Sequence, residues 1–292
     1  MKKSQIPATH GEGLALPERE RRQRVQSAST AMVVLKGLAA VGGRASLTAL
    51  ASHIGESPAK VHRYLVSLME ESLVTQEAGT QQYMLGTECL AIGLAAMRLA
   101  DPIRLAEPSL VRLRERLEVT CFIAVMGNRG PTIVRFEEPG LPVTVNVRAG
   151  SVLSLLWSAT GRLFLGLLDE TRVWALAEEE LRQSPADLLA QLDRDDPIGQ
   201  LKRDVQAVRC ATVKDTNLKG ISAVAAPLFD FNGRLCATLT ALGATGGFDS
   251  SIDGSIATAV RQEAQAISAR LGYVAATQAV KTEVAPRIRT AR

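Results

Sequence analysis

The sequence predicts an α+β chain with a small helical unit and hairpin first, then a connecting helix, then a larger antiparallel sheet flanked by helices. Three observations point there. Helical periodicity near the start gives way to two short strands around residues 73–85. The later strands come in groups joined by hairpin signals, Gly127-Asn128-Arg129-Gly130 and Asn232-Gly233. Helices stand before, between and after these groups, unlike the strict alternation of a βαβ unit. The 292 residues, 46% of them hydrophobic and 22% charged, suffice for about two packed domains.

The elements follow in chain order. Residues 1–24 are polar, with Arg19, Arg21, Arg22 and Arg24 clustered, and read as a disordered basic arm. Ala28, Met32, Leu35 and Ala39 recur at helical spacing until Gly42-Gly43 stops the helix. Leu47 to Ile54 makes a second helix. A third starts at Ser57, with Pro58 in the first helical position where its missing N–H does no harm, and runs to about Glu71. Leu73-Val74-Thr75 and Gln82-Tyr83-Met84-Leu85 read as strands around a loop at Gly79. Glu88 to Ala100 carries Leu90, Leu94 and Met97 on one face, before Asp101-Pro102 breaks it.

A helical stripe reopens with Ile103, Ala106, Leu110, Leu113 and Leu117, interrupted only by Pro108. Strands are predicted over Cys121–Met126, Thr132–Glu137 and Pro142–Val147, and a helical section over roughly residues 155–210. Ile221–Phe229 and Arg234–Leu242 flank the Asn232-Gly233 turn. A closing helix carries Ile252, Ile256, Val260, Ile267 and Leu271, and residues 277–292 form a basic tail. The predicted domains are therefore 25–87, a connector at 88–101, and 102–276, between two basic ends.

Composition excludes several classes. The charge-free run Leu235–Phe248 is shorter than the about 20 apolar residues of a membrane span, so no membrane partner is expected. Lys2 and Lys3 are followed by Glu12 and Pro17 before any apolar stretch, which argues against a signal peptide. The scattered Cys89, Cys121, Cys210 and Cys236 fit a reducing cytoplasm and neither a zinc site nor a disulfide framework. The histidines are His10, His53 and His62, so residues 63–292 contain none. With no G-x-S-x-G or metal motif either, neither a catalytic residue nor a cofactor is expected. Asp193, Asp195 and Asp196 lack an EF-hand frame, and Gly243–Gly247 lacks the Lys-Ser or Lys-Thr of a phosphate loop. The formal charge is +4.

The informative stretch is Leu47–Leu68. A helix-turn-helix needs a small residue at the helix crossing, a turn glycine, and an apolar inward face on its second helix. Ala51, Gly55, and Val61, Tyr64, Leu65 and Leu68 supply these, with Leu50 and Ile54 supporting the first helix. Glu56 departs from the pattern, since a medium apolar residue usually follows the turn glycine, and it is expected to weaken local packing. Ser57, Ala59, Lys60, Arg63 and Ser67 face outward with His62 on the flank. Lys60 and Arg63, three apart on one face, could place a cation and a bidentate fork at guanine edges or phosphates. Gln76–Gln82 makes a wing able to touch backbone or minor groove. The candidate DNA-contacting set is Thr48, Ser57, Ala59, Lys60, His62, Arg63, Ser67 and Gln81.

Residues 25–100 resemble the winged helix-turn-helix of IclR-type bacterial transcription regulators. The likeness lies in Val25-Gln26-Ser27, Val61-His62-Arg63-Tyr64-Leu65 and Tyr83-Met84-Leu85-Gly86. It continues in Ser158-Ala159-Thr160-Gly161-Arg162 and Ala225-Ala226-Pro227-Leu228-Phe229-Asp230. The resemblance implies a homodimer or dimer of dimers, expected on a palindromic operator in double-stranded DNA, and Leu90, Leu94 and Met97 on the connector helix are candidate dimer contacts. It also implies a GAF-like effector-binding domain. Carried over by position, Trp157, Ala159, Thr160, Ile221, Ala223, Thr240 and Leu242 would hold the effector, with backbone N–H groups anchoring a carboxylate. Val213 stands where members binding very small polar acids carry an acidic residue, Ala223 where they carry a thiol, and Leu242 where they carry a hydroxyl. An effector more apolar than a short keto acid is therefore expected, such as an aromatic acid. Whether the chain is a repressor or an activator is left open. Two other readings stand beside it: a sensing module whose helix-turn-helix makes protein–protein contacts, and an enzyme in the C-terminal domain.

Overall fold

The computed structural model describes residues 25–140, 147–216 and 218–274. They fall into two compact units, within residues 1–95 and 96–292. The basic arm, the basic tail and all but Val147 of the strand expected at 142–147 lie outside the described residues.

The first unit packs α1 (Gln26–Ala40), α2 (Leu47–Ile54) and α3 (Pro58–Glu70) beside a small antiparallel sheet. Its strands β1 (Arg44–Ala45), β2 (Val74–Gln76) and β3 (Tyr83–Leu85) are ordered β1-β3-β2. The helix starts are set locally, since the Ser46 hydroxyl accepts from the Ala49 N–H and that of Ser57 from the Lys60 N–H. Such caps contribute about 1 kcal/mol each. The α2–α3 turn needs Gly55, whose φ of 71° is left-handed and strained for residues with a Cβ. Val34, Leu38, Leu50, Ala51, Val61, Leu65, Leu68, Val74 and Tyr83 make the core. Tyr64 and Ile54 pack at its edge, half-buried. Glu56 stays out of that core, and its Oε1 accepts from Lys60 Nζ at 2.7 Å.

The helix α4 (Thr87–Leu99) spans the division between units and has no buried residue. Exposure reaches 64% at Leu90, 42% at Leu94 and 38% at Met97.

The second unit is built on a five-stranded antiparallel sheet of order β5-β4-β8-β7-β6. Its strands are β4 (Thr120–Gly127), β5 (Gly130–Glu137), β6 (Ala211–Lys214), β7 (Ile221–Phe229) and β8 (Leu235–Ala244). Gly127 pairs with Gly130, so Asn128-Arg129 is a two-residue turn. Alternation along β7 divides the core, because successive side chains point to opposite faces. Ala223 and Ala225 face α6 (Ala159–Leu167), α7 (Thr171–Gln183) and α9 (Pro197–Val208). Val224, Ala226 and Leu228 face α5 (Pro102–Leu117) and α10 (Ser255–Arg270). A four-residue helix, α8 (Ala186–Leu189), follows α7.

The structure refines the sequence reading at several places. Strands β1 and β6 were not foreseen, since each is short and is defined by pairing with a distant strand, β3 and β7, with no hairpin turn signal to mark it. The section expected to be helical from residue 155 begins helix only at Ala159, because residues 154–158 are held as a cap. The closing helix starts at Ser255, leaving Ile252 ahead of it. Pro108 lies within α5, which runs through it. Among the described residues no helix is long and apolar enough to cross a membrane, and no cluster of His, Cys, Asp and Glu could hold a metal.

Candidate functional sites

The first candidate site is the outer face of α3 with the wing. Ser57, Ala59, His62, Arg63 and Ser67 are exposed, Lys60 is half-buried, and Thr48 is exposed on α2. The α3 residues therefore share one element and one side. Arg63 has no side-chain partner among the described residues, whereas Lys60 is held by Glu56 at 2.7 Å. His62 Nδ1 lies 3.2 Å from the Tyr83 hydroxyl, which ties α3 to β3. Gln81, with a left-handed φ of 56°, works inside the wing turn: its amide donates to Ala78 O at 2.9 Å, and its own carbonyl accepts from Gln76.

Sequence reasoning missed Arg44. Its Nε donates to Gln82 Oε1 at 2.6 Å, and its Nη2 contacts Glu77 and Thr80, so one guanidinium spans the wing. The pairing unites residues over 30 positions apart, which no local pattern reveals.

The second candidate site lies where α6 begins against β7 and β8. The Ser158 side chain caps α6 by accepting from Gly161 N at 2.9 Å and donating to Ser154 O at 2.6 Å. Gly161 is required here, because a Cβ would stand 1.9 Å from Ser154 O. The N–H groups of Ala159 and Thr160 are among the first of the helix, which have no intrahelical acceptor. Thr160 Oγ1 and Thr240 Oγ1 are 2.8 Å apart, and both residues are buried, at 1% and 0% exposure. Register places Ala225 opposite Thr240 and Ala223 opposite Leu242. Ala223 and Leu242 join Trp157 and Ala159 in one apolar cluster, with Ile221 and Val213 packed at its edge. Trp157 is buried, and its indole N–H donates to Ser184 Oγ at 2.9 Å. Of the seven residues expected at this site, Trp157, Ala159, Thr160, Ala223, Thr240 and Leu242 are buried, and Ile221 is half-buried at the edge of the cluster.

Two charged residues hold this corner: Glu180, which the sequence reading did not single out, and Arg162, which closes the Ser158–Arg162 stretch. Glu180, from α7, accepts from the Ser154 hydroxyl and, at 2.8 Å, from the Leu155 N–H. Arg162 donates from Nε to Leu156 O at 2.8 Å, and burial lowers its pKa. Both brace the segment that presents the α6 start.

Comparison with known proteins identifies both regions of the chain. Residues 27–78 match the IclR helix-turn-helix domain, and residues 95–269 match the bacterial transcriptional regulator IclR C-terminal domain. The chain belongs to the IclR family. Among solved structures it is similar to HmgR of Pseudomonas aeruginosa, 38% identical, with a TM-score of 0.79 over 85% of this chain and 99% of that one. It is 23% identical to the DNA-binding transcriptional repressor YiaJ of Escherichia coli over 88% of this chain and 91% of YiaJ. It is also 26% identical to the HTH-type transcriptional regulator BhcR of Paracoccus denitrificans over 71% and 74%. As an IclR-family member the chain is a transcriptional regulator, not an enzyme, with a DNA-binding helix-turn-helix and an effector-binding domain.

Proposed function

We propose that residues 25–87 read operator DNA, residues 88–101 connect, and residues 102–276 bind an organic acid that alters operator affinity, in the cytoplasm. Arg63 is the principal base reader on α3, with Ser57, Ala59, His62 and Ser67 beside it and Thr48 and Gln81 on the flanks. Lys60 joins by exchanging Glu56 for a phosphate. The chain acts as a homodimer or dimer of dimers on a palindrome, joined through Leu90, Leu94 and Met97 of α4. Their exposure in an otherwise uncovered apolar helix supports that reading. The basic ends, 1–24 and 277–292, add affinity that ignores sequence. Likeness to the repressor YiaJ supports repression.

The observation that carries the effector assignment is the Thr160–Thr240 hydroxyl pair beside the first N–H groups of α6. In an apolar surround, these donors suit one carboxylate. The neighbours Trp157, Ile221, Ala223, Leu242 and Val213 offer no further charge. That set suits an acid with an apolar or aromatic body, recognised by its single carboxylate. Since a ligand shifts an equilibrium only through differential affinity, it must favour one of two dimer conformations.

The test is binding of the full chain to DNA upstream of its own and neighbouring genes, at two salt concentrations, with a panel of aromatic and short-chain acids. Salt-sensitive, sequence-specific binding altered by an aromatic acid is expected. Response to pyruvate or glyoxylate alone would overturn the effector class.

A further inference from the structure

A groove of the second unit lies away from the Thr160–Thr240 corner, against α10 and the end of β7. It has a volume of about 800 Å³ between α10 and β7, with Ala207, Val208 and Arg209 at the end of α9 and Tyr273 also in its wall. Its floor includes Ala226 and Pro227. Strand β6 pairs only as far as Ala225, so β7 continues along the groove without a neighbour on that edge. Pro227 has no N–H to offer, which removes a ladder donor from this stretch and disfavours an added strand as the occupant.

The lining is chemically one-sided. It contains Arg209 and Arg261 and no carboxylate. Arg209 lies over the Phe229 ring at 5.5 Å and donates to the Tyr273 hydroxyl at 3.0 Å, while the two rings sit 4.9 Å apart. One end is therefore a cationic and aromatic platform held in place by its own contacts. Arg261 faces the same space, and its ion-pair partner, Asp253, is largely in solvent at 3.8 Å. Gln262 and Gln265 add amides from successive turns of α10. The volume is within the usual range for small-molecule sites, about 300–1,000 Å³.

We propose that this groove is a second ligand site, taking a small planar organic anion whose ring stacks at Phe229 and Tyr273 and whose carboxylate meets Arg209 and Arg261. Guanidinium groups bind carboxylates bidentately and stack on rings, so both parts of such a ligand find their complement. The chain's own segment after Val274 is a poorer fit, because Lys281, Arg287, Arg289 and Arg292 outnumber Glu283 and repeat the sign of the groove. The site does not rest on the effector reading given above.

The test is photolabelling of the full-length protein with 4-azidobenzoate, followed by peptide mapping. Labels are expected on peptides carrying Phe229, Gln265 or Tyr273. Excess benzoate should suppress them and benzamide, its neutral analogue, should not. Arg261→Gln and Arg209→Gln should each reduce labelling about tenfold, the loss expected for one charge-assisted contact. Arg261→Gln leaves the Arg209–Phe229–Tyr273 platform intact, so its loss of labelling is read without disturbing the ring pair. Thr160→Val should leave this labelling unchanged, which separates the groove from the effector corner. Absence of label from these peptides, equal suppression by benzamide, or full labelling in both arginine variants would overturn the proposal.

Discussion

Replacing Thr240 by valine keeps the shape of a fully buried side chain and removes one hydroxyl, leaving Thr160 Oγ1 without the partner it holds at 2.8 Å. A buried polar group left unmatched costs about 1–3 kcal/mol, whereas removing both members of a pair at constant shape is close to neutral. Thr240→Val and Thr160→Val are each predicted to destabilise the second unit by about 1–3 kcal/mol. The double variant should lose clearly less than the sum of the two. Urea unfolding followed by tryptophan fluorescence reads this unit alone, because both tryptophans, Trp157 and Trp174, belong to it. Additivity within about 0.3–0.5 kcal/mol, the behaviour of independent sites, would refute the coupling and with it the shared donor corner. The single variants should also lose response to the acid that the wild-type chain senses, while still binding DNA.

Other consequences follow from particular contacts. Glu56→Gln frees Lys60 from a half-buried i,i+4 pair, so operator affinity should rise roughly twofold in electrophoretic mobility shifts, and a fall would contradict the exchange model. Burial pushes the Cys121 thiol up to about 12 and that of Cys210 up to about 11, so both should resist iodoacetamide at pH 8 until urea unfolds the chain. Because those folded values exceed the ordinary thiol value of 9.0, the stability they contribute is complete below about pH 9 and is lost as pH rises towards 12. Leu94→Glu should weaken both self-association and DNA affinity, and an unchanged sedimentation profile would refute the α4 interface.

What the sequence made legible, it did through local signals. The cap residue Ser57 with Pro58 placed the start of α3, and Ile221–Phe229 emerged with the bounds that the structure gives β7. The gathering of Ala159, Thr160, Thr240 and Leu242 at one corner came from family resemblance rather than from spacing, since β8 lies some 80 positions from α6. What stayed hidden was non-local. Arg44 reaches the wing across the whole helix-turn-helix, and Glu180 braces a segment about 25 residues earlier. Glu56 looked like a packing fault because its partner, one helical turn away, was counted only as a DNA contact. Strands β1 and β6 were invisible because their identity comes from the neighbour they pair with, β1 from β3 and β6 from β7.

The central claim, that α3 reads operator DNA through Arg63, is tested most directly by titrating wild-type and Arg63→Ala chains against the operator and against single-base variants of it. The account predicts a loss of about 1–3 kcal/mol on the operator and relaxed discrimination at one base pair in each half-site. An equal loss on every sequence would move Arg63 to the phosphate backbone, and undiminished, still selective binding would remove α3 from the operator altogether.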